Sequence, residues 1–461
     1  MKFFHPQLFI TCCLLLAGIS VNGQFTPKEI EGSWAGSLDV ANIRLRIVFH
    51  LQADDQDQLT ATLDSPDQGA LGIELGEVIL QEDSLTIMAP VIMGKYDGVM
   101  TSDTTLEGVW SQAGQHFPLN LIRQMQPEVI QRPQEPHPPY PYREEDVAFV
   151  NEIQQFSLGG TLTLPEDSGP FPAMVLVSGS GSQNRDEEIF GHKPFKVIAD
   201  ALTRKGIAVL RYDDRGVGAS EGSLAGATSA DNATDALAAF QYLSGRIDID
   251  SGKIGILGHS EGGLIALMLA SEIKELACIV LLAGPGVPGE TILLDQSEHI
   301  SRLSGLPEPV IRENRNLMEK VYGWMEAQDS YGDWKDTIKA NLEPVVAERI
   351  LNVIQETSYP WLRYFVMSDP AVYFGDIHCP VLALNGEKDS QVLADKNITA
   401  IREGLESSGN AKVTAQILPG LNHLFQPSQT GLPAEYGDIE WTFDQETLDL
   451  ISSWITEVMK E

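Results

Sequence analysis

Hydrophobic and polar residues alternate over short segments in the N-terminal part of the chain, up to about residue 125. Examples are LRIVFHLQ, LTATLDS and TLEGVWS, and turns rich in Gly, Asp and Asn separate such segments. Alternation with period two is typical of strands that bury one face, and this region has no long helical pattern. The pattern predicts a small antiparallel β-barrel or sandwich domain over residues 24–125.

A different hydrophobic pattern begins at residue 146. The segment before it, residues 126–145, is rich in proline and predicts an extended linker. Continuous apolar segments such as AMVLVSG, KIGILG and PVLALNG alternate with helix-like segments such as HKPFKVIADALTRKG. Two short strands are expected first, in VAFVNEIQQFSL and GTLTLP. The alternation predicts an α/β domain over residues 146–461, with a mostly parallel sheet and helices on both faces.

One connection within this domain is too long for an ordinary loop. Residues 286–376, rich in helix formers and aromatic residues, separate two successive predicted strands. An insertion of this length is usually functional, so we expect a helical cap over the sheet. Its aromatic residues, among them Trp334, Tyr359, Trp361 and Phe365, either line a substrate pocket or form the core of the cap itself.

The N-terminus has the pattern of a secretory signal. Residues 1–23 contain one lysine, then an apolar run, then small residues, which predicts cleavage before Gln24 and export to the periplasm or the extracellular space. The apolar run is shorter than the roughly 20 residues that a membrane-spanning helix needs. We therefore expect no membrane span.

Charge and cysteine content exclude several classes of function. The formal net charge of −34 disfavours binding to nucleic acid or anionic membranes and favours solubility. Only Cys278 and Cys379 remain after the signal, so we expect buried thiols and no disulfide scaffold. No Cys/His spacing is typical of a metal site, and we expect neither a metal nor a cofactor.

The segment GHSEG, residues 258–262, matches the pattern G-x-S-x-G between a predicted strand and a predicted helix. A tight strand-to-helix turn needs glycines on both sides of the serine, because a Cβ atom there would clash. The turn exposes the serine above the carboxyl edge of the sheet. The pattern predicts Ser260 as a nucleophile, with the Glu261 side chain at the mouth of the pocket.

A nucleophilic serine needs a histidine base and an acid that orients it, and in this fold they follow the serine in the order acid, histidine. His423 is the only histidine after Ser260 that follows a strand at the carboxyl edge, in LPGLNHLFQ. The preceding strand ends in NGEKDSQV, which makes Asp389 the predicted acid and Glu387 the competitor.

The oxyanion that forms on acyl attack needs two backbone donors. One is expected to be the amide of Glu261, immediately after the nucleophile. The other is expected from the glycine-rich loop VSGSGSQNRDE, with the Ser180 amide as the first choice and Gly181 as the alternative.

Taken in order, GSGSQNRDE, YDDRGVGASEG, GHSEGG, NGEKDSQV and NHLF resemble the α/β-hydrolase superfamily, especially bacterial carboxylesterases with a small β-rich N-terminal domain. The resemblance implies cofactor-free hydrolysis of short-chain carboxylic esters, with a small-molecule substrate and with Ser260, Asp389 and His423 as the triad. The segment VSGSG departs from the VHGSG of many relatives. A serine exopeptidase or aminopeptidase, an acyl thioesterase and an inactive binding protein remain alternatives, and a homo-oligomer is possible.

Overall fold

The structure is a computed structural model that describes residues 25–40, 43–54, 56–65, 70–112, 114–124 and 132–460. The predicted signal, residues 1–23, and the first part of the predicted linker lie outside these residues. The chain divides into two compact units, one formed by most of the described residues up to Pro127 and the other by Glu128–Glu461. No helix among the described residues is long and apolar enough to cross a membrane.

The N-terminal unit is a ten-stranded sheet in the order β4-β3-β2-β1-β10-β8-β7-β6-β5, with β9 paired to β8. Its core holds Trp34, Phe49, Tyr96 and Trp110, all buried. The predicted β-rich domain is confirmed. After a one-turn helix, α1 Pro27–Ile30, the strands are β1 Gly32–Val40, β2 Ile43–Ala53, β3 Leu59–Ser65, β4 Ala70–Glu74, β5 Val78–Gln81, β6 Ser84–Ala89, β7 Gly94–Ser102, β8 Thr105–Gln112, β9 Gln115–Pro118 and β10 Leu121–Gln124.

The C-terminal unit contains an eight-stranded sheet in the order β11-β12-β14-β13-β15-β16-β17-β18. The first two strands form antiparallel pairs and the remaining six run parallel. This is the predicted α/β-hydrolase fold. The strands are β11 Tyr142–Asn151, β12 Phe156–Pro165, β13 Phe171–Val177, β14 Ala208–Tyr212, β15 Ile249–His259, β16 Ile279–Leu282, β17 Val381–Gly386 and β18 Val413–Leu418.

The strand order reverses at β13, which lies between β14 and β15. In open α/β sheets, ligands bind in the crevice beyond the carboxyl ends of the strands at such a switch point. The loop after β13 and the turn after β15 therefore border the position where a substrate site is expected.

Helices cover both faces of this sheet because the parallel strands are apolar on both sides. Apolar residues of α3, α4 and α10 join the core on one face, and those of α2 and α11 join the core on the other. The helices are α2 Pro194–Thr203, α3 Ser229–Ser244, α4 Glu261–Glu272, α10 Ala394–Ser407 and α11 Gln445–Val458.

The predicted insertion between β16 and β17 is helical. It has a core of its own around Trp334, Ile338 and Val321, so it is a packed cap and not a loose loop. Its helices are α5 Gly289–Leu303, α6 Glu308–Glu326, α7 Tyr331–Asn341, α8 Pro344–Val353 and α9 Tyr359–Met367.

Two features at the start of the C-terminal unit differ in detail from the sequence pattern. The segment VAFVNEIQQFSL contains the turn between β11 and β12, because the Asn151 side chain accepts hydrogen bonds from the amides of Ile153 and Gln154. The described part of the proline-rich segment is bound to this unit. Gln134 exchanges two hydrogen bonds with the main chain of Phe443, of 2.7 and 2.9 Å.

Candidate active site

Ser260 lies at the turn between β15 and α4, with φ 52° and ψ −119°. Positive φ is unusual for a residue with a side chain and is typical of a nucleophile elbow. The main chain fixes the turn at both sides, since the Ser260 amide donates to Leu282 O at 2.8 Å and the Gly263 amide donates to Ser260 O at 2.9 Å. The strain is therefore held by the surrounding sheet and helix.

The glycines around Ser260 are sterically required. A Cβ atom on Gly258 would lie 1.9 Å from the carbonyl oxygen of Gly262, and one on Gly262 would lie 2.1 Å from the carbonyl oxygen of Val177. Both distances are far below van der Waals contact with backbone atoms. The steric reason inferred from the sequence for G-x-S-x-G is thus present in the structure.

The structure brings Asp389 and His423 together. Asp389 Oδ2 accepts a hydrogen bond from His423 Nδ1 at 2.7 Å, and both side chains are buried. Asp389 Oδ1 accepts from the amides of Gln391 and Val392 at 2.8 and 2.9 Å, which fixes the carboxylate. With Nδ1 donating to the carboxylate, Nε2 of His423 is the nitrogen that can accept a proton.

The competing carboxylate points elsewhere. Glu387 Oε2 accepts from the amide of Gly420 at 2.9 Å, in the turn after β18. Glu387 therefore braces the loop that carries His423 and does not contact the ring.

The described residues include no hydrogen bond between the Ser260 hydroxyl and the His423 ring. The ring of His259, the residue before Ser260, lies 4.8 Å from the ring of His423 between centroids. Hydroxyl groups rotate freely, and catalytic hydrogen bonds are often long without substrate and tighten on binding.

The loop after β13 lies beside Ser260. A Cβ atom on Gly179 would lie 3.2 Å from Ser260 Cβ. The Gly179 amide donates to Glu187 Oε1 at 2.7 Å, so it is not free to bind an oxyanion. The amides of Ser180 and Gly181 have no hydrogen-bond acceptor among the described residues, and both residues are exposed. Both remain candidates for the second donor.

The first predicted donor, the amide of Glu261, is at the N-terminus of α4. Amides in the first turn of a helix have no acceptor within the helix and lie at the positive end of its dipole. This amide is therefore available for negative charge next to Ser260.

The serine that departs from the VHGSG pattern braces the loop. Ser178 Oγ donates to Asp214 Oδ1 at 2.7 Å, and the Gln183 amide donates to Asp214 Oδ2 at 2.9 Å. Burial raises the pKa of Asp214 to about 7, and these two hydrogen bonds oppose the rise. Arg185 adds an ion pair with Asp213 at 2.7 Å. The departure thus preserves an ordered loop.

A buried histidine–carboxylate pair was not found from the sequence. His259 Nδ1 lies 2.9 Å from Glu187 Oε1, and His259 Nε2 lies 3.0 Å from the carbonyl oxygen of His423. The available signal was two motifs, RDE and GHSEGG, and nothing in either motif indicates that they meet.

The side chain of Glu261 is not at a pocket mouth, contrary to the sequence-based expectation. It is 3% exposed, and its Oε1 accepts from Trp361 Nε1 at 2.9 Å. Burial raises the pKa of Glu261 despite this bond. Glu261 therefore joins the turn at Ser260 to cap helix α9.

The aromatic residues of the cap divide between the two roles that the sequence left open. Trp334 and Tyr359 belong to the core of the cap. Trp361 and Phe365 stack at 5.5 Å on α9 and pack in a cluster with Leu264 of α4. Helix α9 is therefore the cap element next to the elbow.

The N-terminal unit contains another Ser–His–Asp arrangement. Ser33 Oγ lies 2.8 Å from His50 Nδ1, and His50 Nε2 lies 2.7 Å from Asp64 Oδ2. Ser33 is the second residue of β1, opposite Gln124, and it is not at a strand-to-helix turn. This arrangement links neighbouring strands and lacks the donors that an acyl-transfer site needs.

The described residues include no group of three or more His, Cys, Asp or Glu side chains placed to hold a metal ion. Cys278 and Cys379 are free thiols, and burial raises the pKa of Cys379 to about 11. Neither thiol is therefore prepared as a nucleophile.

The chain is similar to several known proteins. Residues 156–420 match the model of the family described as X-Pro dipeptidyl-peptidase (S15 family). Esterase EstD of Thermotoga maritima is 29% identical over 332 residues, which are 69% of this chain and 69% of that protein. The human acyl-coenzyme A thioesterase 1 is 27% identical over 241 residues, which are 51% of this chain and 49% of that protein. A solved esterase of Pyrococcus furiosus superposes with a TM-score of 0.44 and 18% identity, covering 69% of this chain and 91% of that one.

The family match covers more than half of the chain and includes Ser260, Asp389 and both flanks of the elbow. The sheet order, the elbow and the β-rich N-terminal unit agree with the resemblance inferred from the motifs. The chain therefore belongs to the S15 peptidase family, within the α/β-hydrolase superfamily.

Proposed function

We propose that the protein is a carboxylesterase-type serine hydrolase that cleaves short-chain carboxylic esters through an acyl-enzyme on Ser260. The observation that carries the proposal is the buried hydrogen bond between His423 and Asp389, together with a serine held at φ 52° at the switch point of the sheet. An orienting acid, a base and a strained nucleophile are the parts that acyl transfer needs.

In the proposed mechanism, Asp389 holds the proton on His423 Nδ1, so that Nε2 removes the proton of Ser260 as its oxygen attacks the ester carbonyl. The amides of Glu261 and Ser180 donate to the oxyanion. The alcohol leaves with the proton from His423, and water then attacks the acyl-enzyme by the same route. No step requires a metal or a cofactor.

An ester substrate is favoured by two features. The esterase from Thermotoga maritima is related over 69% of its length. Trp361 and Phe365 place apolar surface next to the elbow helix, which suits an uncharged acyl group. The substrate is thus proposed to be a small-molecule ester.

The second candidate is release of dipeptides from peptides with proline in the second position. The match to the X-Pro dipeptidyl-peptidase family favours it. Such an exopeptidase needs a charged group that binds the free amino terminus. Acyl thioesters form a third class, suggested by the human relative.

The deciding experiment compares p-nitrophenyl acetate, butyrate and octanoate with Ala-Pro-p-nitroanilide and an acyl-coenzyme A. We expect the short esters to have the highest kcat/KM. The Ser260→Ala variant should lose roughly 10⁴–10⁶-fold in turnover, as nucleophile removal does in other serine hydrolases. The control is Ser407→Ala, at an exposed position at the end of α10.

Two results would overturn the proposal. One is preference for the anilide or the thioester over every ester. The other is a Ser260→Ala variant that keeps more than a tenth of the wild-type rate.

We also propose that the protein is exported to the periplasm or beyond, with residues 1–23 as the signal. The mature protein from a secreting host should begin at Gln24 by N-terminal sequencing. An intact Met1 in the cytosolic fraction alone would contradict this.

A further inference from the structure

The Glu187–His259 pair lies directly beside the nucleophile. His259 is the last residue of β15 and precedes Ser260. The side chain of Glu187 is 4% exposed and that of His259 is 7% exposed. Buried charged groups are rare without a local reason, because removal from water is costly.

The hydrogen bonds of His259 determine its charge. Its Nδ1 faces the carboxylate of Glu187 at 2.9 Å, and its Nε2 faces the carbonyl oxygen of His423 at 3.0 Å. With Glu187 ionised both partners are acceptors, so both ring nitrogens donate, and this arrangement favours the imidazolium form. Burial lowers the pKa of His259, but the charge and hydrogen bond of Glu187, the bond to His423 and the charge of Asp389 together outweigh it, and the net shift is upward.

The pair joins three separate segments of the site. Glu187 Oε1 accepts a second hydrogen bond, from the Gly179 amide at 2.7 Å, in the loop that carries the candidate oxyanion donors Ser180 and Gly181. His259 belongs to the nucleophile elbow, and its other bond ends on the main chain of His423. A single carboxylate oxygen thus links the oxyanion loop to the elbow and, through the imidazolium, to the base.

The bond to Gly179 also determines which amide faces the substrate. Because the Gly179 N–H is directed at Glu187, it is turned away from an oxyanion, and the next amides along the loop remain free. Gly179 is close enough to Ser260 that a Cβ atom on it would lie 3.2 Å from the serine Cβ. A small displacement of this loop would move the donor relative to the reacting carbonyl.

We propose that Glu187 is a positioning residue for hydrolysis, which acts through Gly179 and His259 to hold the oxyanion loop and the His423 loop against the nucleophile. The inference rests on the function proposed above. Glu187 does not contact the substrate in this arrangement. Its effect should appear in the transition state and not in substrate binding.

The first test is Glu187→Gln, which keeps the size of the side chain and removes its charge. We expect kcat to fall by roughly 10–100-fold with KM changed less than about threefold, since a displaced oxyanion donor costs up to about 10²–10³-fold. The matched control is Glu188→Gln, the same change at the next residue, which is exposed. The control should keep the wild-type kcat.

The second test is His259→Gln, whose amide can still donate towards the His423 carbonyl but leaves Glu187 without its charged partner. If Glu187 and His259 act as one unit, the double variant Glu187→Gln/His259→Gln should lose little more kcat than Glu187→Gln alone. This variant also keeps the inference testable if Glu187→Gln does not fold.

A third readout separates positioning from general support of the fold. A trifluoromethyl ketone forms a tetrahedral oxyanion adduct with the serine, so its affinity should fall in parallel with kcat/KM in both variants. A purely structural role would lower the melting temperature and leave kcat and the inhibitor affinity of the folded protein unchanged.

The outcomes distinguish this inference from the proposed function. Labelling of Ser260 by a fluorophosphonate needs no ester substrate and depends on the same oxyanion donors. Slower labelling of Glu187→Gln than of the wild type and Glu188→Gln supports the inference, whatever the natural substrate is. Equal rates in all three proteins overturn the inference alone, whereas absence of labelling and of esterase activity in the wild type overturns the proposed function and the inference with it.

Discussion

At the scale of single residues, the sequence pattern identified the candidate catalytic side chains that follow the carboxyl ends of parallel strands. Asp389 and His423 each lie in the turn after a parallel strand, and their side chains meet in the structure at 2.7 Å. The choice between Asp389 and Glu387 rested on the turn that follows β17, and the two carboxylates do point to different partners. Glu187 and His259 are 72 positions apart, and only the folded chain shows that they pair.

A residue-scale prediction follows from the two carboxylates. Asp389→Asn should reduce kcat by about 10³–10⁴-fold, because an amide does not hold the His423 ring in the tautomer that accepts a proton. Steady-state kinetics with a short p-nitrophenyl ester measure this. Glu387→Gln is the matched control and should keep at least about a third of the wild-type kcat. The reverse pattern would make Glu387 the acid.

At the scale of elements, the sequence predicted that the cap is helical but not which of its faces meets the elbow. Aromatic residues at helical spacing have the same pattern whether they form a core or line a pocket. The packing separates them, since Trp334 is inside the cap and Trp361 on α9 reaches Glu261. That contact requires the cap and the sheet to be placed together, which no local pattern encodes.

An element-scale prediction concerns α9. Trp361→Phe removes the hydrogen bond to the buried Glu261 and should change the ratio of kcat/KM between butyrate and octanoate esters by about threefold or more, since α9 borders the elbow. Trp334→Phe is the control. It also removes a tryptophan hydrogen bond, to Val321 O, but within the cap core.

Chain-length profiles of the two variants provide the measurement. The Trp334→Phe profile should parallel that of the wild type, with a lower melting temperature. If both variants keep the wild-type profile, α9 does not border the acyl group.

At the scale of the whole molecule, the change from alternating strands to strand–helix repeats predicted two units of different class. The order of the strands in the sheet could not be predicted from the local sequence pattern, because β13 lies between β14 and β15 only through long-range pairing. The described end of the proline-rich segment is bound to the C-terminal unit through Gln134, a contact that proline content alone does not indicate. Prolines favour an extended path but do not determine which side chains along it find partners.

Global stability should depend on pH through Asp214. Burial raises its pKa to about 7, from 3.8, so the folded state favours the neutral carboxyl. The contribution of the neutral Asp214 carboxyl to the free energy of unfolding is fully present below about pH 4 and is lost as the pH rises through about 7. The melting temperature of Asp214→Asn minus that of the wild type should therefore increase as the pH rises from 5 to 8.

The control for this prediction is Asp167→Asn, at an exposed loop position. Its melting temperature should follow that of the wild type across the same range. A constant difference between Asp214→Asn and the wild type from pH 5 to pH 8 would contradict the upward shift.

The proposed mechanism depends on Ser260 as the nucleophile, and covalent labelling tests this assignment. The native protein is incubated with a fluorophosphonate, and intact mass and peptide mapping then locate the adduct. We expect one adduct per chain, on the peptide that contains Ser260, and none on Ser260→Ala. An adduct on another residue, or equal labelling of Ser260→Ala, would contradict it.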